Sequence, residues 1–233
     1  MAIYAMTFAM AWFVARKNKN IHIPIGKIEP KQTALCLGIT ICGISIAMLL
    51  NAFASVLSNS QSNGMEDTAV YPFWLSLICF AIVPAVIEEY IFRGVILGAY
   101  LKVETMAAVL LSSLFFGLLH FSLGFVMYGF FFGCVFALVR VITGNLAYTM
   151  LMHVTFNSLN VLLGYVNIGD VPIWVVIAVM LVCIVSFVVL IKKLLYETSI
   201  YVEKKRHKVR HLMTREGYVA VLICLEIMEM LFA

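Results

Sequence analysis

The sequence predicts an all-α fold, a polytopic transmembrane helical bundle of about seven or eight spans. Hydrophobic residues fill 64% of its 233 positions and charged residues only 12%. No water-soluble domain of this length requires so much apolar surface. Apolar runs near the roughly 20 residues needed to cross a hydrocarbon core recur along the chain. They are continuous rather than short and alternating, which argues against a β-barrel.

In chain order, the expected spans are Ala2–Ala15, Thr33–Leu57, Pro72–Leu101, Thr105–Phe121, Gly124–Val141, Asn145–Val166 and Val171–Ile191. The stretch Tyr218–Ala233 carries Glu226 and Glu229 and is either an eighth span or an interfacial helix. The first run has no basic region ahead of it and no clear cleavage site, so it reads as a retained, short or truncated span rather than a cleaved signal peptide. Neither a repeat nor a soluble domain interrupts the pattern. The whole chain, 1–233, reads as one integral membrane domain with its core at about 73–163.

Loop charges orient these spans. Arg16, Lys17, Lys19, Lys27 and Lys31 place the first loop in the cytoplasm, whereas Ser58–Tyr71 has acidic residues and no Lys or Arg. Lys102, Arg140 and the stretch Lys192–His211 continue the alternation, with Asn167–Asp170 outside. The net charge of +4 is thereby explained without nucleic acid. All six cysteines lie in apolar runs without Cys-x-x-Cys spacing, as small hydrophobes do.

Against this background Glu88, Glu89 and Arg93 stand out inside an otherwise apolar span. Ionisable groups at membrane depth cost several kcal/mol each, so they are functional by default. Glu89 and Arg93 have the favourable i, i+4 order for an ion pair, and Glu88 points about one helical step away. The division of labour expected is that Glu89 and Arg93 neutralise one another while Glu88 is left for chemistry. Pro84, four residues before Glu88, suggests a bend or helix start that aims the glutamates inward.

Two later spans add polar groups: His120, four after Phe116, and His153 followed at the same spacing by Asn157, with Asn160 extending the stripe. A glutamate near two histidines suits water activation. His153 and Asn157 on one face can donate hydrogen bonds to an oxyanion. Taken singly, each has a plainer reading: a structural histidine, an asparagine joining helices, a packing phenylalanine. Their joint occurrence on three spans is what those readings leave unexplained.

The ordered set Glu88-Glu89-x-x-x-Arg93, Phe116-x-x-x-His120 and His153-x-x-x-Asn157 resembles the signature of the CAAX prenyl protease and bacteriocin-processing family, the CPBP or Abi intramembrane peptidases. The resemblance covers about Phe73 to Leu163 and implies a helical intramembrane endopeptidase opening toward the cytoplasmic side of the cell membrane. By motif it implies Glu88 as base on water, His120 assisting, His153 and Asn157 at the oxyanion, and Glu89 and Arg93 in support. The implied substrates are prenylated proteins or hydrophobic leader, pheromone or bacteriocin peptides, met in the lipid bilayer. Members are often labelled metalloproteases. Glu88, His120 and His153 are the ligand candidates if Zn2+ is needed, but no His-Glu-x-x-His helix is present. A metal-free Glu/His/His/Asn site is the reading placed first.

Three rivals remain at this stage. A protease-like scaffold or immunity protein keeps the fold without turnover. A proton-coupled transporter would use the same groups as a relay, but the halves are not duplicated. A haem protein would use His120 and His153 and leave the glutamates idle. Helix counting also sets a test: Glu88 falls just past mid-span, His120 near the outer end and His153 about a third of the way in from the cytoplasm. Straight parallel helices would keep them apart.

Overall fold

The computed structural model describes residues 23–58, 71–101, 105–119, 122–166 and 171–203, together with residues 9, 11–13, 16 and 17 near the start. It is helical, with no strand among the described residues. The helices are α1 (Pro30–Ser58), α2 (Phe73–Tyr100), α3 (Thr105–Leu118), α4 (Leu123–Thr143), α5 (Leu146–Tyr165) and α6 (Ile173–Glu203). Five of them are long and apolar enough to cross a membrane, and α3, at 14 residues, is shorter. The polytopic bundle expected from the sequence is therefore present. Most of Ala2–Ala15 and all of Tyr218–Ala233 lie outside the described residues. α6 runs on to Glu203 instead of stopping at Ile191, so the basic stretch begins on a helix rather than in a loop.

α4 occupies the centre, against α3, α1 and α5. Its aromatic face builds the core: Phe132 and Phe136 pack with Leu35 and Ile39 of α1 and Met152 and Phe156 of α5. α2 lies along α5 and reaches α3 near its end, while α6 packs mainly on α1. Trp74, Ile173 and Val182 are exposed apolar residues on the bundle's outer surface, where a membrane protein meets lipid.

α3 and α4 approach closely because their contact is built of small residues, as is common between membrane helices. A Cβ on Gly117 would stand 2.9 Å from the Val126 carbonyl oxygen, and one on Gly133 2.9 Å from Ser113 Cβ. α4 ends on Gly144 in the left-handed conformation, with φ 64°, and its N–H bonds the Arg140 carbonyl. Asn145 then caps α5 by accepting from Ala147 N.

The segment 23–29 is tied across this turn. Leu146 N donates to Pro24 O at 2.9 Å, Gly26 N to Asn145 Oδ1 at 3.0 Å, and Glu29 N to Tyr148 Oη at 2.8 Å. Ile23 reaches Gly94 of α2. At the opposite end Tyr165 bonds Ser76 and the Tyr71 carbonyl, pinning α5 to the start of α2.

Candidate active site

α2 delivers its carboxylates through a change of helical pitch. Two π-helical segments, Leu77–Ile82 and Tyr90–Ile96, flank the α-helical stretch Val83–Glu89. The sequence suggested a bend or helix start at Pro84. The observed answer is a continuous helix in which the proline sits in the first turn of the α-helical stretch, just after a π turn. Pro84 lacks an N–H, and the preceding Val83 N–H already reaches back five residues to Ile78 O. A π turn slips the register between the residues on either side of it, and such turns are frequent at functional sites. Here the result is that both Glu88 and Glu89 are buried against α5.

Glu89 is the hub. Its Oε1 lies 2.9 Å from Arg93 Nη1 and 3.0 Å from His153 Nδ1. Both Glu89 and Arg93 are 0% exposed. Arg93 also donates through Nη2 to the Gly133 carbonyl of α4 at 3.2 Å. The other ring nitrogen of His153, Nε2, faces Glu88 Oε2 at 3.7 Å, beyond a direct hydrogen bond. One imidazole thus stands between two neighbouring carboxylates. The long side chains offset the helical step that separates Glu88 from Glu89.

Aromatic rings enclose the cluster. The Arg93 guanidinium stacks over Phe116 of α3 at 4.3 Å and lies 5.5 Å from Phe136 of α4. The His153 ring stands edge-on to Phe116 at 5.4 Å and packs against Phe136 at the same separation. These rings exclude water, and their faces favour the cation electrostatically. Low dielectric makes every charge here matter more. Glu89 Oε2 and Arg93 Nε are buried without a hydrogen-bond partner among the described residues.

Four of the residues singled out in sequence, Glu88, Glu89, Arg93 and His153, converge on one centre; the residue that helix counting set furthest from them was His120. Asn157 lies one turn further along α5, half-buried, and Asn160 is also half-buried. His120 lies outside the described residues. Phe116 packs, as its plainer reading had it, but packs on the charged cluster itself. Phe136 and Gly133 were not foreseen. The only sequence sign of Gly133 was its Gly129-x-x-x-Gly133 spacing, and Phe136 carried no sign distinguishing it from other core aromatics.

A metal would find two of the three proposed ligands, Glu88 and His153, close together. Among the described residues no group of three His, Cys, Asp or Glu is arranged to hold one, and the third candidate is His120. The carboxylate behind His153 Nδ1 is an orienting group of the kind that metal-ligating histidines use. It equally suits a histidine that acts without metal.

Residues 70–159 match the family model described as type II CAAX prenyl endopeptidase, Rce1-like. The match spans all three motifs and bears out the resemblance drawn from them. Over this stretch, from α2 into α5, the chain is similar to proteins named for proteolysis. Nothing among curated proteins or solved structures matches the chain.

Proposed function

We propose that this protein is an intramembrane endopeptidase that hydrolyses peptide bonds of prenylated, CAAX-type substrates through a glutamate-activated water, with hydrophobic leader peptides as the second substrate class. The observation that carries this reading is His153 held between Glu89 at 3.0 Å and Glu88 at 3.7 Å in a buried, ring-lined centre. The family match over the same residues adds to it.

In this mechanism Glu88 takes the proton from water as its oxygen attacks the peptide carbonyl, and returns it to the departing amine. The gap between Glu88 and His153 Nε2 is the length that a bridging water fills. Glu89 fixes His153 through Nδ1–H, and Arg93 holds Glu89. With both ring nitrogens protonated, His153 offers Nε2–H to the developing oxyanion, and Asn157 on the same face of α5 offers its amide. The two carboxylates are then balanced by Arg93 and His153, which limits the cost of burying them. His120 assists Glu88 by motif. No metal is required for these roles. Zn2+, were it bound, would be held by Glu88, His120 and His153 and would supply a Lewis acid that makes the bound water more acidic.

The chain is further read as one integral domain of the cell membrane. Its site is read as opening toward the cytoplasm, as the motif resemblance implies, and the basic residues of the first loop mark the cytoplasmic end of the bundle. The test is cleavage of prenylated and leader peptides by purified protein in nanodiscs. Wild type is compared with Glu88→Gln and His153→Ala, with and without chelator. Loss of cleavage in both variants, with chelator inert, is the expected result. Loss with chelator and recovery with zinc would move the same residues into metal ligation. Folded wild-type protein that cleaves nothing would point to a scaffold.

A further inference from the structure

Every group at the buried centre is shut in. Glu88 and His153 are each 4% exposed, and Glu89 and Arg93 0%. A peptide bond reaches the water beside Glu88 only if some element moves aside. The helices around the centre are held by close small-residue contacts and by the buried Glu89–Arg93 pair. The segment 23–29 is different. It is not helical, most of it is exposed, and its bonds lie at the surface end of α5, the pattern of a part that opens locally at low cost.

Its position sets what it covers. On α5 it is bonded to Asn145, Leu146 and Tyr148. On α2 it lands on Gly94, where the three heavy atoms nearest to an added Cβ all belong to Ile23, at 3.4, 3.5 and 3.6 Å. Leu146 precedes His153 by seven residues, and Gly94 follows Glu89 by five. The segment thus crosses from α5 to α2 about 7–10 Å along the helices from the buried cluster. This is the cytoplasmic side, because the segment carries Lys27 and belongs to the basic first loop. Ile23 and Pro24 are half-buried there, whereas residues 25–29 are exposed. α2 and α5 are the helices that carry Glu88 and His153, so Ile23 stands at the mouth between them.

We propose that residues 23–29 form a displaceable plug: Ile23, resting on Gly94, closes the cytoplasmic mouth between α2 and α5, and a substrate peptide reaches Glu88 only after the plug has lifted. This rests on the endopeptidase reading and adds a control of access to the same site. It also gives Gly94 a task, since a side chain longer than alanine's would push Ile23 outward. Lifting the plug uncovers Leu146 N–H and the Asn145 amide, which hold its extended backbone at 2.9 and 3.0 Å. The entering peptide backbone takes the same groups, so hydrogen bonds are exchanged rather than lost. Apparent substrate affinity is then reduced in proportion to the fraction of molecules that are open.

The experiment uses the full-length protein in nanodiscs and a prenylated peptide, with two changes at one contact that act in opposite directions. Ile23→Ala weakens the plug and should raise kcat/KM about 3- to 10-fold, the worth of a half-buried isoleucine. Ile23→Cys combined with Gly94→Cys sets two thiols at a spacing that suits a disulfide. Closing it with copper phenanthroline should lower cleavage by more than about 10-fold, because the open fraction is removed. Dithiothreitol should restore cleavage, and neither single variant should respond to the oxidant. A purely structural segment would give the opposite sign in Ile23→Ala. The proposal is overturned if Ile23→Ala cleaves no faster than wild type, or if the cross-linked protein cleaves as fast as its reduced form. It is also overturned if the disulfide does not form, since Ile23 then does not rest on Gly94. If wild type cleaves nothing, the endopeptidase reading fails separately. Labelled peptide titrated onto the double-cysteine protein carrying Glu88→Gln then decides the matter, equal affinity in the oxidised and reduced forms overturning the plug and weaker binding when oxidised supporting it.

Discussion

Replacing Glu89 by glutamine isolates its structural contacts from the chemistry proposed for Glu88. Glutamine keeps the shape and one carbonyl oxygen but removes the charge facing Arg93 Nη1 at 2.9 Å and His153 Nδ1 at 3.0 Å. Arg93, 0% exposed, then has no carboxylate bonded to it. Breaking a buried pair from one side costs about 3–5 kcal/mol, because the remaining charge is left uncompensated. That is a large share of the 5–15 kcal/mol that typically holds a domain folded. Removing both charges, as in Glu89→Gln with Arg93→Met, should cost less than the sum of the single changes by about 2 kcal/mol or more, since no lone charge remains. The methionine also keeps a sulfur contact with Phe116. Glu88→Gln should cost less than Glu89→Gln, because the 2.9 Å bond of Arg93 goes to Glu89. The assay is reversible unfolding in bicelles by steric trapping, one curve per variant. A Glu89→Gln penalty under about 1 kcal/mol, or strict additivity in the double variant, would refute the hub role of Glu89.

Gly133→Ala should destabilise by about 1–3 kcal/mol through overpacking, because the new Cβ would stand 2.9 Å from Ser113 Cβ and 3.0 Å from its Cα, which cannot swing aside. The same unfolding curves measure it. Asn145→Ala removes the α5 cap and two bonds to the 23–29 segment. A cost of about 1–2 kcal/mol is expected, with faster amide exchange at Gly26 and Leu146 and unchanged exchange in the middle of α4. Phe116→Leu keeps apolar volume but loses the ring under Arg93 at 4.3 Å. It should cost about 0.5–2 kcal/mol beyond packing, and that part should vanish in an Arg93→Met background.

The fold was legible early because membrane helices announce themselves by composition. Thr33–Leu57 and Asn145–Val166 were placed within three residues of the observed α1 and α5. The Glu89–Arg93 pair was legible for a similar reason, since it is local, four residues apart on one helix. The contacts of His153 with Glu88 and Glu89 were not, because they join residues 65 and 64 apart across two helices. Helix counting put Glu88 and His153 at similar depth and set only His120, outside the described residues, well apart; what it did not show are the π-helical turns on both sides of the α2 glutamates. Phe136 and Gly133 stayed hidden for another reason. An aromatic or a glycine in an apolar helix looks the same whether it faces lipid, core or a buried arginine.

By itself, then, the sequence determined the class of fold, the charges that membrane burial makes costly, and the order of motifs that carries the family resemblance. Each of these follows from composition or short-range spacing. Tertiary structure alone decided that a single imidazole reaches both glutamates and that two phenylalanines from different helices seal the centre. Those outcomes depend on how closely α2, α3, α4 and α5 approach, which is set by small residues and helical pitch at their contacts rather than by any pattern along one helix.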